Sequence, residues 1–224
     1  MATGINFQPF KTQGNFKGAF NVESRGYIQG DAQADPAVRL QLSSGWLPND
    51  FDGVVFGGMP VQECLTPTGM NVAGSTILAA TEAANAIVVF NQAYHGVITA
   101  ASNVPQYMAG GTVHYYRMGS LARIPMAISS AVLDLATSGK NSVNQVFVWD
   151  PDNLYVDVQN STGEAGFAVQ DEKEGEAAPA AADTRVVLNI KLLQVADEGN
   201  NMTIVKDGDG LSWAHDQPIG VFMI

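Results

Sequence analysis

The chain has 224 residues, enough for one generous all-β domain or for one domain with arms and insertions. Hydrophobic residues make up 46% and charged residues only 15%, so a real core can be buried beneath a weakly charged surface that 23 glycines and 10 prolines make rich in turns. The net charge is −11 and the nearest thing to a basic patch is the isolated Arg117 and Arg123, which sets the chain against nucleic acid and anionic membranes as partners.

No run approaches the ~20 apolar residues of a membrane-spanning helix, and Met1 to Phe20 lack the apolar centre of a signal peptide. The expectation is a soluble chain made and folded in the cytoplasm, with no export signal. The lone Cys64 excludes an internal disulfide and reads as a small buried hydrophobe, since no base lies near it in sequence to activate a thiolate.

In chain order, residues 1–35 are polar and Gly-rich with spaced aromatics, Phe7, Phe10, Phe16, Phe20 and Tyr27. Their spacing fits neither a helix face nor strict alternation, which predicts an extended N-terminal arm packing on the body or on a neighbouring subunit. Residues 36–224 are expected to form the β-rich body. Pro36 opens its first predicted strand, with Val38, Leu40 and Leu42 alternating against polar neighbours. Short strands follow at Val54–Phe56 and Pro60–Leu65, and residues 66–84 are only weakly patterned. The continuous apolar run Ala86–Phe90 suits a sheet covered on both sides.

Gly96–Thr99 reads as strand, and Val104–Gly111 as a loop leading into a strand at Thr112–Met118. There Val113, Tyr115 and Arg117 share one side, and Thr112, His114, Tyr116 and Met118 the other. Leu121–Ile128 is extended, with Pro125 marking an edge or bulge. Residues 129–138 fit a helical turn or a strand equally well. A hairpin at 144–158 turns on Asp150-Pro151-Asp152-Asn153. Residues 161–184, with the run Asp171–Glu176, read as a flexible acidic loop. Arg185–Val195 then reads as one long strand with Val186, Leu188, Ile190 and Leu192 facing in. Asp207–Gly210 is a turn, and the apolar end Pro218–Ile224 is expected to be paired in a sheet. Short strands between turn signals indicate an all-β fold, a jelly-roll-like sandwich or barrel.

The residues point away from chemistry. His95, His114 and His215 are too scattered for a zinc site, and no Gly-x-Ser-x-Gly, Walker or dinucleotide fingerprint is present. Asp207-Gly208-Asp209-Gly210 fails as a calcium loop, because Leu211 follows where an oxygen ligand is needed. The expectation is therefore no catalytic residue, no cofactor and no metal. A hydrolase would need a cleft joining distant groups such as Asp157 and His114. A carbohydrate- or host-surface-binding module of a virion would need Trp46, Trp149 or Trp213 on a flat exposed face.

Three segments together resemble the capsid structural cement, or decoration, proteins of tailed bacteriophages. They are Gly18–Asp31, Gly57-Gly58-Met59-Pro60-Val61-Gln62, and Ala93–Ser129 with Met108-Ala109-Gly110-Gly111 inside it. The resemblance implies a β-rich, often jelly-roll-like body on the outer surface of the virion's capsid. It implies the phage major capsid protein as partner, and self-association as a homodimer or homotrimer at local symmetry axes. On this reading Phe7, Phe10, Phe16, Phe20 and Tyr27 become expected capsid or subunit contacts.

Overall fold

A computed structural model describes residues 26–33, 36–65, 75–80, 83–90, 97–99, 102–138, 145–159, 185–197, 201–208 and 210–224. In chain order they form α1 (Pro36–Arg39), β1 (Ser43–Trp46), β2 (Val55–Phe56), β3 (Pro60–Cys64), β4 (Ser75–Ala79), β5 (Ala86–Val88), β6 (Val97–Thr99), β7 (Ser102–Tyr107), β8 (Thr112–Arg117) and β9 (Arg123–Ala127). There follow α2 (Ser130–Thr137), β10 (Phe147–Asp150), β11 (Tyr155–Val158), β12 (Val186–Leu188), β13 (Lys191–Ala196), β14 (Met202–Asp207), β15 (Gly210–His215) and β16 (Ile219–Met223). The fold is all-β, and of the two expected forms the chain builds a barrel.

The barrel closes in the order β1-β4-β3-β5-β8. Its seams are antiparallel except for β1 beside β4, which is parallel. Alternation puts Val61, Ile77, Ala86, Val88, Val113 and Tyr115 inside, all fully buried, and Leu47 and Val55 close the same cluster. Each such aliphatic side chain removed from water stabilises the fold by about 1.5–3 kcal/mol. Gly45 makes the parallel seam possible: a Cβ there would come within 2.7 Å of both the Ile77 side chain and the Ser75 carbonyl oxygen.

The opposite faces of the same strands build a second, larger core. Ile87 and Tyr116 point out of the barrel and join Phe56, Ile124, Met126, Phe147, Trp149 and Phe222. So β5 is covered on both sides, as its unbroken apolar run requires. Three-stranded sheets of order β13-β16-β9, β11-β10-β12 and β2-β7-β6 surround this core with the β14–β15 hairpin. Strand β16, the apolar chain end, is the central strand of its sheet. Its Phe222 meets Phe147 edge-to-face at 5.4 Å between ring centres.

Several expectations are corrected. Residues 36–39 are helical, because Pro36 presets the first helical turn, and Val38 from the helix and Leu42 just beyond it both meet the larger core. Leu40, expected inside, is 91% exposed. Weakly patterned residues 75–79 are strand β4, and the expected loop at 104–107 belongs to strand β7. The expected long strand from Arg185 to Val195 is two strands in different sheets, β12 beside β10 and β13 beside β16. Residues 130–137 take the helical alternative, since the Ser129 hydroxyl accepts the Val132 N–H as an N-cap. Cys64 is half-buried rather than buried.

Candidate interaction surface

Residues 26–33, assigned to the arm by the sequence, form a strap across the body. Tyr27 and Gln29 exchange backbone hydrogen bonds with Met202 on β14, Gly30 and Gln33 donate to the carbonyls of Pro125 and Arg123 on β9, and Phe90 after β5 donates to Gly30. The strap thus joins the barrel, the β13-β16-β9 sheet and the β14–β15 hairpin. Gln29 is completely buried, and its Oε1 accepts the Ile204 N–H at 2.9 Å. Gly30 has φ of +78°, and a Cβ would land on the Gly57 backbone and 2.7 Å from the Gly58 nitrogen. The sequence offered a signal in the Gly30/Gly57-Gly58 pair, but nothing in it says that two distant glycine turns touch.

Of the expected contact residues, Tyr27 is placed on the chain's own body. Its N–H donates to Asn201 Oδ1 at 3.0 Å, and its hydroxyl donates to Gln194 Oε1 at 3.3 Å. Phe7, Phe10, Phe16 and Phe20 lie outside the described residues, as does the acidic loop 161–184.

The densest polar cluster sits at one end of the barrel. Glu63 follows Val61 on the inward face of β3, and Arg117 follows Val113 and Tyr115 on the inward face of β8. Arg117 donates to Glu63 through Nε at 2.6 Å and Nη2 at 2.7 Å. Ser75 and Tyr115 donate to Glu63 Oε1 at 2.6 and 2.5 Å. The Asn85 side chain brackets the Glu63 backbone, accepting its N–H and donating to its carbonyl. The Arg117 hydrogen bonds, aided by those of Ser75 and Tyr115 and opposed by burial, hold the Glu63 carboxyl down at about 2. Burial, then the bond to Glu63, pushes the Tyr115 phenol up to about 12. A carboxylate that already accepts four hydrogen bonds is engaged as a structural plug. The alternation that puts Val61 and Val113 inside puts Glu63 and Arg117 on the same faces at the barrel's end, where Arg117 stays exposed, a signal present in the sequence.

The two residues a hydrolase would bring together have different partners. Asp157 Oδ1 accepts from Ser129 at 2.6 Å and its Oδ2 lies 3.8 Å from Arg185, whereas His114 Nδ1 lies 2.9 Å from the Ser44 hydroxyl. Burial pulls the His114 imidazole below its ordinary value. Among the described residues no group of three His, Cys, Asp or Glu side chains is placed to hold a metal ion, and no helix is long and apolar enough to cross a membrane. None of the tryptophans forms an exposed platform. Trp149 is buried, Trp46 and Trp213 are half-buried, and Trp213 lies against Phe90 at 5.9 Å.

The surface instead offers apolar side chains and a sheet edge. Leu65 and Leu40 are 95% and 91% exposed, and Leu121 is 59% exposed with φ of +63°. Between α2 and β13 lies a groove of about 370 Å³, lined by Leu133, Leu135, Ala136, Leu192 and Leu193 and ending at Asp197. Among the described residues β13 pairs on one side only. No family model matches the chain, and no curated protein or solved structure matches it either.

Proposed function

We propose that this chain is a structural cement protein that binds the outer surface of a phage capsid and stabilises contacts between major capsid protein subunits. The observation that carries the reading is the set of leucines held in water. Leu40 and Leu65 are nearly fully exposed, and Leu121 is presented from a left-handed backbone that costs about 1–2 kcal/mol for a residue with a Cβ. Large apolar side chains displayed in this way gain most when a partner surface covers them. The segments that resemble cement proteins support the same reading, as does a barrel-end polar cluster occupied with its own hydrogen bonds. Many copies, each contributing a few such contacts and repeated by symmetry as dimers or trimers, bind through avidity.

The half-buried and buried tryptophans argue against the alternative, a carbohydrate- or host-surface-binding module, which relies on exposed flat aromatic faces. The test is co-sedimentation with purified capsids through a density gradient. The chain is expected to travel with the heads and raise the temperature at which they rupture. Changing Leu40, Leu65 and Leu121 together to serine is expected to lower binding at least tenfold with the melting temperature of the free chain kept. Full capsid binding by that variant removes the leucines from the interface, and no binding by the parent chain ends the reading.

A further inference from the structure

We infer that the barrel end where Arg117 stands is the face that meets the capsid, and that Arg117 there binds a carboxylate of the capsid protein. The inference rests on the capsid reading and deepens it, by giving the three exposed leucines one location and a polar centre.

Strand register gathers these residues. Ser43 pairs with Tyr115, Gly45 with Ser75, Cys64 with Thr76 and Ala86 with Arg117. At one end of the barrel, therefore, β1, β4 and β5 begin and β3 and β8 stop. Leu40 lies three residues before Ser43, and Leu65 directly follows Cys64. Leu121 lies four residues after Arg117, just past a turn in which the Ser120 N–H donates to the Arg117 carbonyl. Consecutive Cα atoms are about 3.8 Å apart, so each leucine stands within about 15 Å of the residue that ends its strand at this rim.

The guanidinium is fixed before any partner arrives. Nε and Nη2 donate to Glu63, whose Oε1 also accepts from Ser75 and Tyr115, and the group lies 5.9 Å from the centre of the Tyr115 ring. Yet the side chain is 56% exposed, and Nη1 has no hydrogen-bond partner among the described residues. A planar guanidinium donates from more than one edge, so one already held by a carboxylate takes a second with its rotamer entropy spent. Exposed leucines around it favour a protein surface, where a carboxylate lies among apolar groups, over nucleic acid, whose contacts are chiefly with phosphates and sugars. Arg39 precedes Leu40 and Arg123 follows Leu121 by two, and both are exposed, so three arginines stand at this end of a chain whose net charge is −11. A twofold contact between copies through this end would set arginine against arginine. An acidic patch on a different protein is therefore the better partner than a second copy.

The experiment uses the full chain and purified capsids, with affinity read by co-sedimentation. Arg117→Lys keeps the charge beside Glu63 but loses the planar fork, and it is expected to weaken capsid binding about tenfold or more. The melting temperature of the free chain is expected to stay within a few degrees of the parent's. Leu65→Glu leaves the Glu63 bonds intact and sets a competing carboxylate beside the guanidinium, and it is expected to weaken binding as strongly. Lys206→Gln, on the β14–β15 hairpin, removes a charge elsewhere and is expected to bind as the parent does. Parental binding by both Arg117→Lys and Leu65→Glu overturns the inference and leaves the capsid reading standing, whereas no binding by the parent chain ends that reading and this inference with it. An equal loss in Lys206→Gln overturns it in favour of diffuse charge. Unchanged capsid binding by Arg117→Lys, with loss of a self-associated species in analytical ultracentrifugation, overturns it in favour of a second copy.

Discussion

The barrel-end cluster shows how one carboxylate can tie stability to pH. Glu63 is lowered from 4.5 to about 2 in the folded chain, chiefly by the Arg117 hydrogen bonds. A carboxyl with a depressed folded pKa contributes stability that is full above the unfolded value and is lost as pH falls towards the folded one. Glu63→Gln is expected to cost about 1–2 kcal/mol near neutral pH, since hydrogen bonds to a charged group exceed neutral ones but Arg117 is partly screened by solvent. The difference between the two chains should shrink below pH 4.5 and vanish near pH 2. Urea unfolding across that range checks it, and a constant difference would show that the carboxylate's charge is irrelevant. Leu121 makes the opposite case. Glycine removes the penalty of its left-handed backbone, so Leu121→Gly should stabilise the free chain by about 1 kcal/mol in urea unfolding. If Leu121 is a capsid contact, the same change should weaken capsid binding.

At the scale of elements, β16 shows why a hydrophobic chain end is an interior strand here. It pairs with both β9 and β13, and Phe222 is fully buried against Phe147. Phe222→Ala should cost about 3–5 kcal/mol, read as a lower urea midpoint with an unchanged slope. The pairing of that end was legible from its composition alone. So were the hairpin around Asp150, whose carboxylate accepts the Asp152 and Asn153 N–H groups, and the doubly covered run at β5. What misled was local alternation where the contact is with something distant. Val38 and Leu42 fit a strand by parity, yet Val38 meets the larger core from a helix and Leu42 from just beyond it, and only the position of that core decides. The break at Asn189-Ile190 has the same origin, since alternation runs through it while the chain moves from one sheet to another. The barrel-end site was half legible: the parity of Arg117 was plain, but that Glu63 meets it from a strand 54 residues away is a tertiary fact. The groove at β13 has no local signature, because it exists only where α2 comes beside a strand edge.

Across the whole molecule, three structural units with separate hydrogen-bond ladders must be held in register, and residues 26–33 do it. Five backbone hydrogen bonds run between this strap and Met202, Pro125, Arg123 and Phe90, and the buried Gln29 adds a sixth contact to Ile204. Backbone hydrogen bonds of this kind contribute about 0.5–1.5 kcal/mol each. Their sum is therefore comparable to the ~5–15 kcal/mol that separates a folded domain from its unfolded chain. Gly30 is the tightest point, and Gly30→Ala should destabilise by about 2–3 kcal/mol, through both its positive φ and its approach to Gly57. Truncation separates the strap from the residues before it. A chain beginning at Gly26 keeps every one of these bonds and should melt cooperatively within a few degrees of the full chain. One beginning at Ala34 loses them all and exposes the edges of β9 and β14. At about 2–4 °C per kcal/mol for a domain of this size, its melting point should fall by at least ~10 °C. Differential scanning calorimetry distinguishes the two, and equal melting of both truncations would show that the barrel and the outer sheets hold each other without the strap.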